Sequence, residues 1–281
     1  MQLNNNNSQV ATQQPQSLQA LMSNAGVMSK LNSVLGNEKK AAAFASSVIS
    51  VANGNSLLRN ANPMTVLGSA MVAATLDLSV VPTLGMAYIV PYKGQAQFQL
   101  GWKGLVELAM RSGQYKNIIV EAVHEGELVK KNKFTGEYEF DEDAKTSETV
   151  VGYMANFQLI NGFSKTIYWT IDEVKAHATK FSQAYRGGRN TPWLTDFDSM
   201  AKKTVLKALL SKFGPKSLQM QQAVVFDQAS VKPKTNDNGD IDLNIDAFDA
   251  EYVDNSDNKS EIAAAAAAAA GVQDVQAEEV K

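Results

Sequence analysis

Between Met86 and Gly113 the chain passes from one hydrophobic period to another. Ala96, Phe98 and Leu100 alternate with Gln95, Gln97 and Gln99, the period of two that a half-buried strand requires. The run before it, Met86–Tyr92, is rich in Tyr, Ile and Val, and Lys93-Gly94 makes a two-residue turn between the two. The pattern predicts a β-hairpin with Lys93 at its tip. From about Trp102 the period lengthens to that of a helix. Trp102, Leu105, Val106 and Ala109 share one face, while Lys103, Glu107 and Arg111, four apart, line another. The unit thus has an apolar side and a side of amides and cations. The second side is either a solvated face with a Glu107–Arg111 pair or a surface for a polyanion.

Taken in order, residues 1–15 are rich in Asn and Gln and are read as disordered. A helical pattern then runs from Ser17 through Leu18, Leu21, Met22, Ala25, Met28, Leu31 and Leu35 to Gly36. A second helix covers about Glu38 to Ala52 and is ended by Asn53-Gly54-Asn55. A third opens at Asn62-Pro63, an N-cap followed by proline at the first helical position, and stops before Pro82. The apolar faces of these helices are either ordinary packing or a subunit contact. Asn117–Val123 reads as a strand. Gly126–Lys133 and Phe134–Phe140 read as a polar hairpin or extended loop containing Lys130, Lys131 and Lys133. Thr149–Ile160 and Phe163–Thr170 flank Asn161-Gly162, the strongest hairpin signal in the chain. Thr170, Asp172 and Glu173 cap a helix running to about Tyr185.

The helix expected from Asp196 to Phe213 is apolar on most of its circumference, through Phe197, Met200, Val205, Leu206, Leu209, Leu210 and Phe213. It nevertheless carries Lys202, Lys203 and Lys207. Either these lysines snorkel at the edge of a core helix or Lys203 and Lys207, at i and i+4, form a stripe flooring a cationic groove. Arg186-Gly187-Gly188-Arg189 is a basic loop whose guanidiniums suit phosphate, or a plain surface loop.

The fold class that follows is α+β: N-terminal helices, a central antiparallel sheet with hairpins, and helices packed on it. The divisions are a disordered 1–15, a core from 16 to 226, and an acidic flexible tail over 227–281. Charge supports the last boundary. The net charge of −3 conceals a net of +4 over 86–220 and a net of −9 over 221–281, where 4 Lys/Arg face 13 Asp/Glu. The tail mixes acids with Ile241, Leu243, Ile245, Phe248, Tyr252 and Val253, the composition of a segment that docks on a partner. The low pI therefore belongs to the tail and does not exclude nucleic acid.

Other chemistries find little support. There is no cysteine, hence no disulfide framework or thiolate metal site, and a reducing cytoplasm fits. No signal peptide and no run long and apolar enough to span a membrane is seen. No GxxxxGK[ST] phosphate loop is present. His124 and His177 lack metal-ligand spacing and read as surface or packing residues. Asp141-Glu142-Asp143-Ala144-Lys145 contains part of a metal-nuclease pattern, so a metal-dependent nuclease is the alternative function.

The segment Val81–Gly113, "VPTLGMAYIVPYKGQAQFQLGWKGLVELAMRSG", closely resembles the RecT family of phage single-strand annealing proteins. The resemblance continues through Thr191–Trp193 and through Ser199–Pro215, and covers roughly residues 25–225. It implies cofactor-free, ATP-independent binding of single-stranded DNA and annealing of complementary strands in homologous recombination, by a ring or helical homo-oligomer in the bacterial cytoplasm. It carries a basic groove onto Lys93, Gln97, Gln99, Lys103, Arg111, Lys116, Arg186, Arg189, Lys202, Lys203 and Lys207. Trp193 or Tyr92 would stack on a base or pack in the protein. Partners implied for the tail are a phage exonuclease and the host single-strand binding protein.

Overall fold

The computed structural model describes residues 16–188, 191–235 and 240–251. The expected flexible N-terminus and the stretch beyond Glu251 lie outside the described residues.

The first helical pattern forms two helices. α1 (Leu18–Met22) is capped by Ser17, and α2 (Ala25–Leu35) by Asn24, whose Oδ1 accepts from the N–H groups of Gly26 and Val27 at 2.8 and 3.3 Å. A side chain that satisfies the backbone locally competes with helix continuation, so the helix expected to be continuous to Gly36 breaks at Asn24. α3 (Glu38–Gly54) and α4 (Ser56–Arg59) follow, divided by Asn55. α5 (Pro63–Thr75) is buried on every side from Thr65 to Ala74. It packs against α1 and α2, and also against the hairpin that follows it in sequence.

That hairpin is β1 (Ala87–Tyr92) paired antiparallel with β2 (Gln95–Leu100). Lys93 and Gly94 both have positive φ, 47° and 77°, the double left-handed turn that follows the twist of a two-residue hairpin. The turn is anchored: Asn62 N–H donates to Gly94 O at 2.8 Å, and Ala96 N–H donates to Thr65 Oγ1 at 2.9 Å. α6 (Trp102–Arg111) starts directly after β2. Hairpin and helix have the periods and limits the sequence predicts.

The strands form several small antiparallel sheets, whereas the sequence pointed to one central sheet. β3 (Tyr115–His124), β6 (Val150–Leu159) and β7 (Ser164–Thr170) form a three-stranded sheet in the order β3-β6-β7. β4 (Leu128–Asn132) and β5 (Glu137–Phe140) pair separately, stacking Tyr138 and Phe140 against Tyr168 of β7. The helix expected up to Tyr185 is α7 (Ile171–Phe181), opened by a Thr170/Glu173 capping box, then α8 (Gln183–Arg186) beyond an extended Ser182. α9 (Pro192–Thr195) leads into α10 (Phe197–Phe213), which lies between the three-stranded sheet and α6. α11 (Leu218–Phe226) follows.

Packed chain does not end at Phe226. Asp227 is fully buried, and Ala229, Val231, Leu243, Ile245 and Phe248 join the core. Gln228 and Ala229 bond to Phe98 along the free edge of β2 at 2.8 and 3.0 Å. β8 (Ser230–Lys232) pairs with β9 (Asp249–Glu251). At Gly68 of α5 a Cβ would overlap the Val231 carbonyl, so this strap lies directly on the helix backbone. The expected boundary at 226 therefore differs from the structure, where the apolar residues of the acidic run up to Phe248 are spent on the chain's own core.

Candidate nucleic-acid interface

Sorting the cations by what holds them separates structural charges from available ones. Lys203 is 7% exposed, and its Nζ lies 3.1 Å from Asp227 Oδ1. Lys207 Nζ lies 2.8 Å from Asp227 Oδ2, and the Leu100 N–H donates to Oδ1 at 2.9 Å. Burial by itself would raise the Asp227 carboxyl; the two ammonium groups and the Leu100 N–H outweigh it and hold the group at about 2. Lys203 moves the other way. Desolvation lowers its pKa and the neighbouring Lys207 lowers it further, and Asp227 alone does not compensate. The stripe predicted to floor a groove is thus a buried trio tying α10 to β2 and to the start of the strap. A helix that is apolar nearly all round gives a lysine nowhere to go except to a buried counter-charge.

Three more of the sequence-predicted residues are also committed to the protein. Arg111 donates to the carbonyls of Leu76 and Asp77, both at 2.8 Å, and pairs with Glu107 at 2.9 Å, closing the turn after α5. Lys202 pairs with Asp198 at 3.2 Å and Glu121 at 3.5 Å. Trp193 is 7% exposed and packs between Tyr185 and Phe197, so its ring is core. Arg186 is exposed at the end of α8, and Arg189 lies outside the described residues.

What remains around the hairpin forms a surface. Register pairs Tyr88 with Gln99, Val90 with Gln97 and Tyr92 with Gln95, which puts these six side chains on one face of the ribbon. The opposite face, with Ala87, Ile89, Ala96, Phe98 and Leu100, is buried. Gln97 is 7% exposed and closed off, while Gln95 and Gln99 are half-exposed. Lys93, exposed at the tip, lies over the Tyr92 ring with Nζ 5.0 Å from its centroid. Lys103 is exposed in the first turn of α6, its stem against Gly85 and its ammonium 5.9 Å from the Trp102 ring. Neither lysine has a carboxylate partner among the described residues.

Two glycines position Lys103. A Cβ on Gly101 would overlap the Gly85 carbonyl, and one on Gly104 would overlap that of Met86. Gly101 also donates its N–H to Met86 O at 2.8 Å. The first turn of α6 therefore rests on the backbone entering β1. The Gly-Trp-Lys-Gly spacing carries this signal, since a glycine inside a helix pattern costs propensity and marks a close backbone approach. Lysines on an apolar helix signal a need for a buried acid, but nothing local to the helix points to Asp227.

The fragment of a nuclease pattern serves local structure. Asp141 Oδ1 accepts from the Asp143 N–H at 3.0 Å, and Lys145 pairs with Glu148 at 2.7 Å. His177 packs against Trp169 and Phe181; burial, then Lys207 and Lys180, push its pKa down to about 4. Among the described residues no group of three His, Asp or Glu is arranged to hold a metal, and no helix is long and apolar enough to cross a membrane.

Comparison with known proteins places this architecture. The family model described as RecT family matches residues 42–241, from within α3 into the strap. The chain is 45% identical over 250 residues to the uncharacterized protein YqaK of Bacillus subtilis (strain 168), covering 89% of this chain and 83% of that one. It is 28% identical over 216 residues to Protein RecT of Escherichia coli (strain K12), covering 71% and 74%. On the extent of the match and on these similarities, the chain belongs to the RecT family.

Proposed function

We propose that this protein binds single-stranded DNA along the half-exposed ribbon face of β1–β2 and the first turn of α6, and anneals it to a complementary strand without ATP. Membership of the RecT family implies single-strand annealing in DNA recombination. The observation that supports this location is a pair of lysines without an ion-pair partner among the described residues, Lys93 and Lys103, on two braced elements at the borders of a glutamine-bearing ribbon. Ammonium groups neutralise phosphates and amides position the strand, leaving base edges free to pair. The sequence carries no phosphate-binding loop for a nucleotide, which fits an ATP-independent reaction. Assembly into rings or helical oligomers, and docking of an exonuclease or single-strand binding protein by the residues beyond Glu251, belong to the same reading, as does a bacterial cytoplasmic setting.

The test is retention of labelled DNA under a salt challenge. Complementary strands added in sequence should leave a complex more salt-resistant than either strand alone, than non-complementary strands, or than preformed duplex. Equal retention for complementary and non-complementary additions would leave only single-strand binding. The double substitution Lys93→Ala/Lys103→Ala should reduce the slope of log affinity against log salt by about 0.7 for each lysine, at an unchanged melting temperature. Lys203→Ala should behave oppositely. It should lower the melting temperature, because Asp227 keeps one ammonium partner where it had two, and a melt beside a binding titration separates the two cases.

A further inference from the structure

We propose that a groove beside α3 is the docking site of the alanine run in the chain's own C-terminal segment, Ile262–Ala270.

The groove has a volume of about 610 Å3 and lies between the last turns of α3, the short helix α4 and the segment entering β1. One side is Ser46, Ser47, Ser50, Val51 and Gly54 of α3; the other includes Leu58, Val81, Pro82 and Ile89. Ser46, Ser50 and Gly54 are four apart and share one helix face. Their side chains are small, so the backbone of an occupant can come close to α3. Leu57 and Leu84, on the segments that border the groove, are 69% and 47% exposed, and apolar surface therefore continues past its rim. No charged side chain among the described residues lines it. A phosphate finds no cation there, and the cations read from the sequence lie elsewhere, Lys116 among them, exposed at the β3 bulge.

An occupant that fits is uncharged, small in side chain and about as long as the α3 side of the groove. Ser46–Gly54 is nine residues of α3, about 13 Å of helix. Within residues 252–281 the run Ile262–Ala270 meets these conditions: it is also nine residues, carries no charge and has eight alanines, the strongest helix former. Charge brackets it, with Lys259 and Glu261 before and Asp274 after.

The position of Glu251 brings this run within reach. Glu251 pairs with Ser230, the adjoining Ala229 pairs with Phe98, and Phe98 pairs with Ile89, which lines the groove. Paired Cα atoms of neighbouring strands are about 4.5–5.5 Å apart, so Glu251 lies within roughly 20 Å of Ile89. Residues 252–261 can extend over about 33 Å. Alanine buries little apolar surface, so the run would bind weakly as a separate peptide. A short tether raises its effective concentration to about the mM range, which favours the chain's own run over that of a second copy.

The chain has no cysteine, so a pair can be introduced without background. The experiment compares Ser50→Cys/Ala266→Cys with the control Ala176→Cys/Ala266→Cys, both in the full chain; Ser50 is exposed at the groove and Ala176 is exposed on α7. With oxidised glutathione as oxidant, the first pair should close an intramolecular disulfide at least ten-fold faster than the control, at a rate independent of protein concentration. Adding Ala265→Glu/Ala269→Glu should slow closure at least ten-fold, because it brings carboxylates to a groove with no counter-charge. All variants should melt at the wild-type temperature. Equal rates for the two pairs, or closure indifferent to the carboxylates, overturn the inference by showing only chance encounters of a tethered run. Cross-linked dimers in place of closed monomers overturn it by giving the groove to the run of a second copy. Closure that occurs only after removal of residues 1–15 overturns it as well, by giving the groove to the N-terminal segment.

Discussion

Truncation after Phe226 is expected to unfold or severely destabilise the protein, while truncation after Glu251 should leave its melting temperature nearly unchanged. The shorter chain loses Asp227 and strands Lys203, which is buried at the contact of α10 with the strap. It also uncovers the edge of β2 at Phe98 and removes the cover that Val231, Leu243, Ile245 and Phe248 provide. Each of those apolar side chains contributes about 1.5–3 kcal/mol by burial, partly offset by the chain entropy regained. Asp227→Ala isolates the electrostatic part. Removing one member of a buried pair costs about 3–5 kcal/mol, a fall on the order of 10 °C for a chain of this size.

The pH dependence follows with a definite sign. The Asp227 carboxyl is held at about 2 when folded, below its ordinary value of 3.8. Its contribution is fully present above that ordinary value and is lost as pH falls from about 4 through about 2, on the order of 2 kcal/mol. Asp227→Asn has no carboxylate to protonate. Its stability, lower at neutral pH, should fall less over that interval than that of wild type. Parallel acid limbs for the two proteins would mean that the trio does not govern acid unfolding.

Gly104→Ala should destabilise by about 1–3 kcal/mol or more, although alanine is the better helix former, and Gly101→Ala similarly at the N-cap of α6, where glycine is already preferred to alanine. At each position the new methyl group meets a backbone carbonyl of Gly85 or Met86, and neither can rotate away as a side chain would. Relief requires α6 to lift from β1, which moves Lys103 relative to the ribbon. Loss of stability should therefore be accompanied by weaker single-strand binding in the fraction that stays folded. Gly113→Ala makes a control in which a Cβ meets nothing within 4 Å but φ is +68°, so only backbone strain is added. A stable Gly104→Ala protein with wild-type affinity would mean that the helix does not need this close approach.

Local chemistry fixed much of the architecture before any tertiary contact was known. Alternation over Gln95–Leu100, the Lys93-Gly94 turn, Asn161-Gly162 and the Asn62-Pro63 start are signals acting over a few residues, and each element forms where its signal stands. The break at Asn24 was equally local, a side-chain cap that a purely periodic reading passes over. Lys93 and Lys103 were legible as exposed cations because a hairpin tip and the polar face of an amphipathic helix look outward whatever the fold. Which other cations are available was decided by the tertiary structure alone. Lys203 and Lys207 meet Asp227 across 24 and 20 residues of sequence, and Arg111 reaches carbonyls 35 and 34 residues away. Sequence periodicity reports which face of an element is apolar. It carries no information on which distant group will neutralise a charge on that face, because that pairing depends on how the elements dock. The same holds for residues 227–251. Their acidic composition reads as a solvated tail, yet a minority of apolar side chains finds an unfilled surface on α5 and β2, and burying them outweighs the cost of ordering the segment.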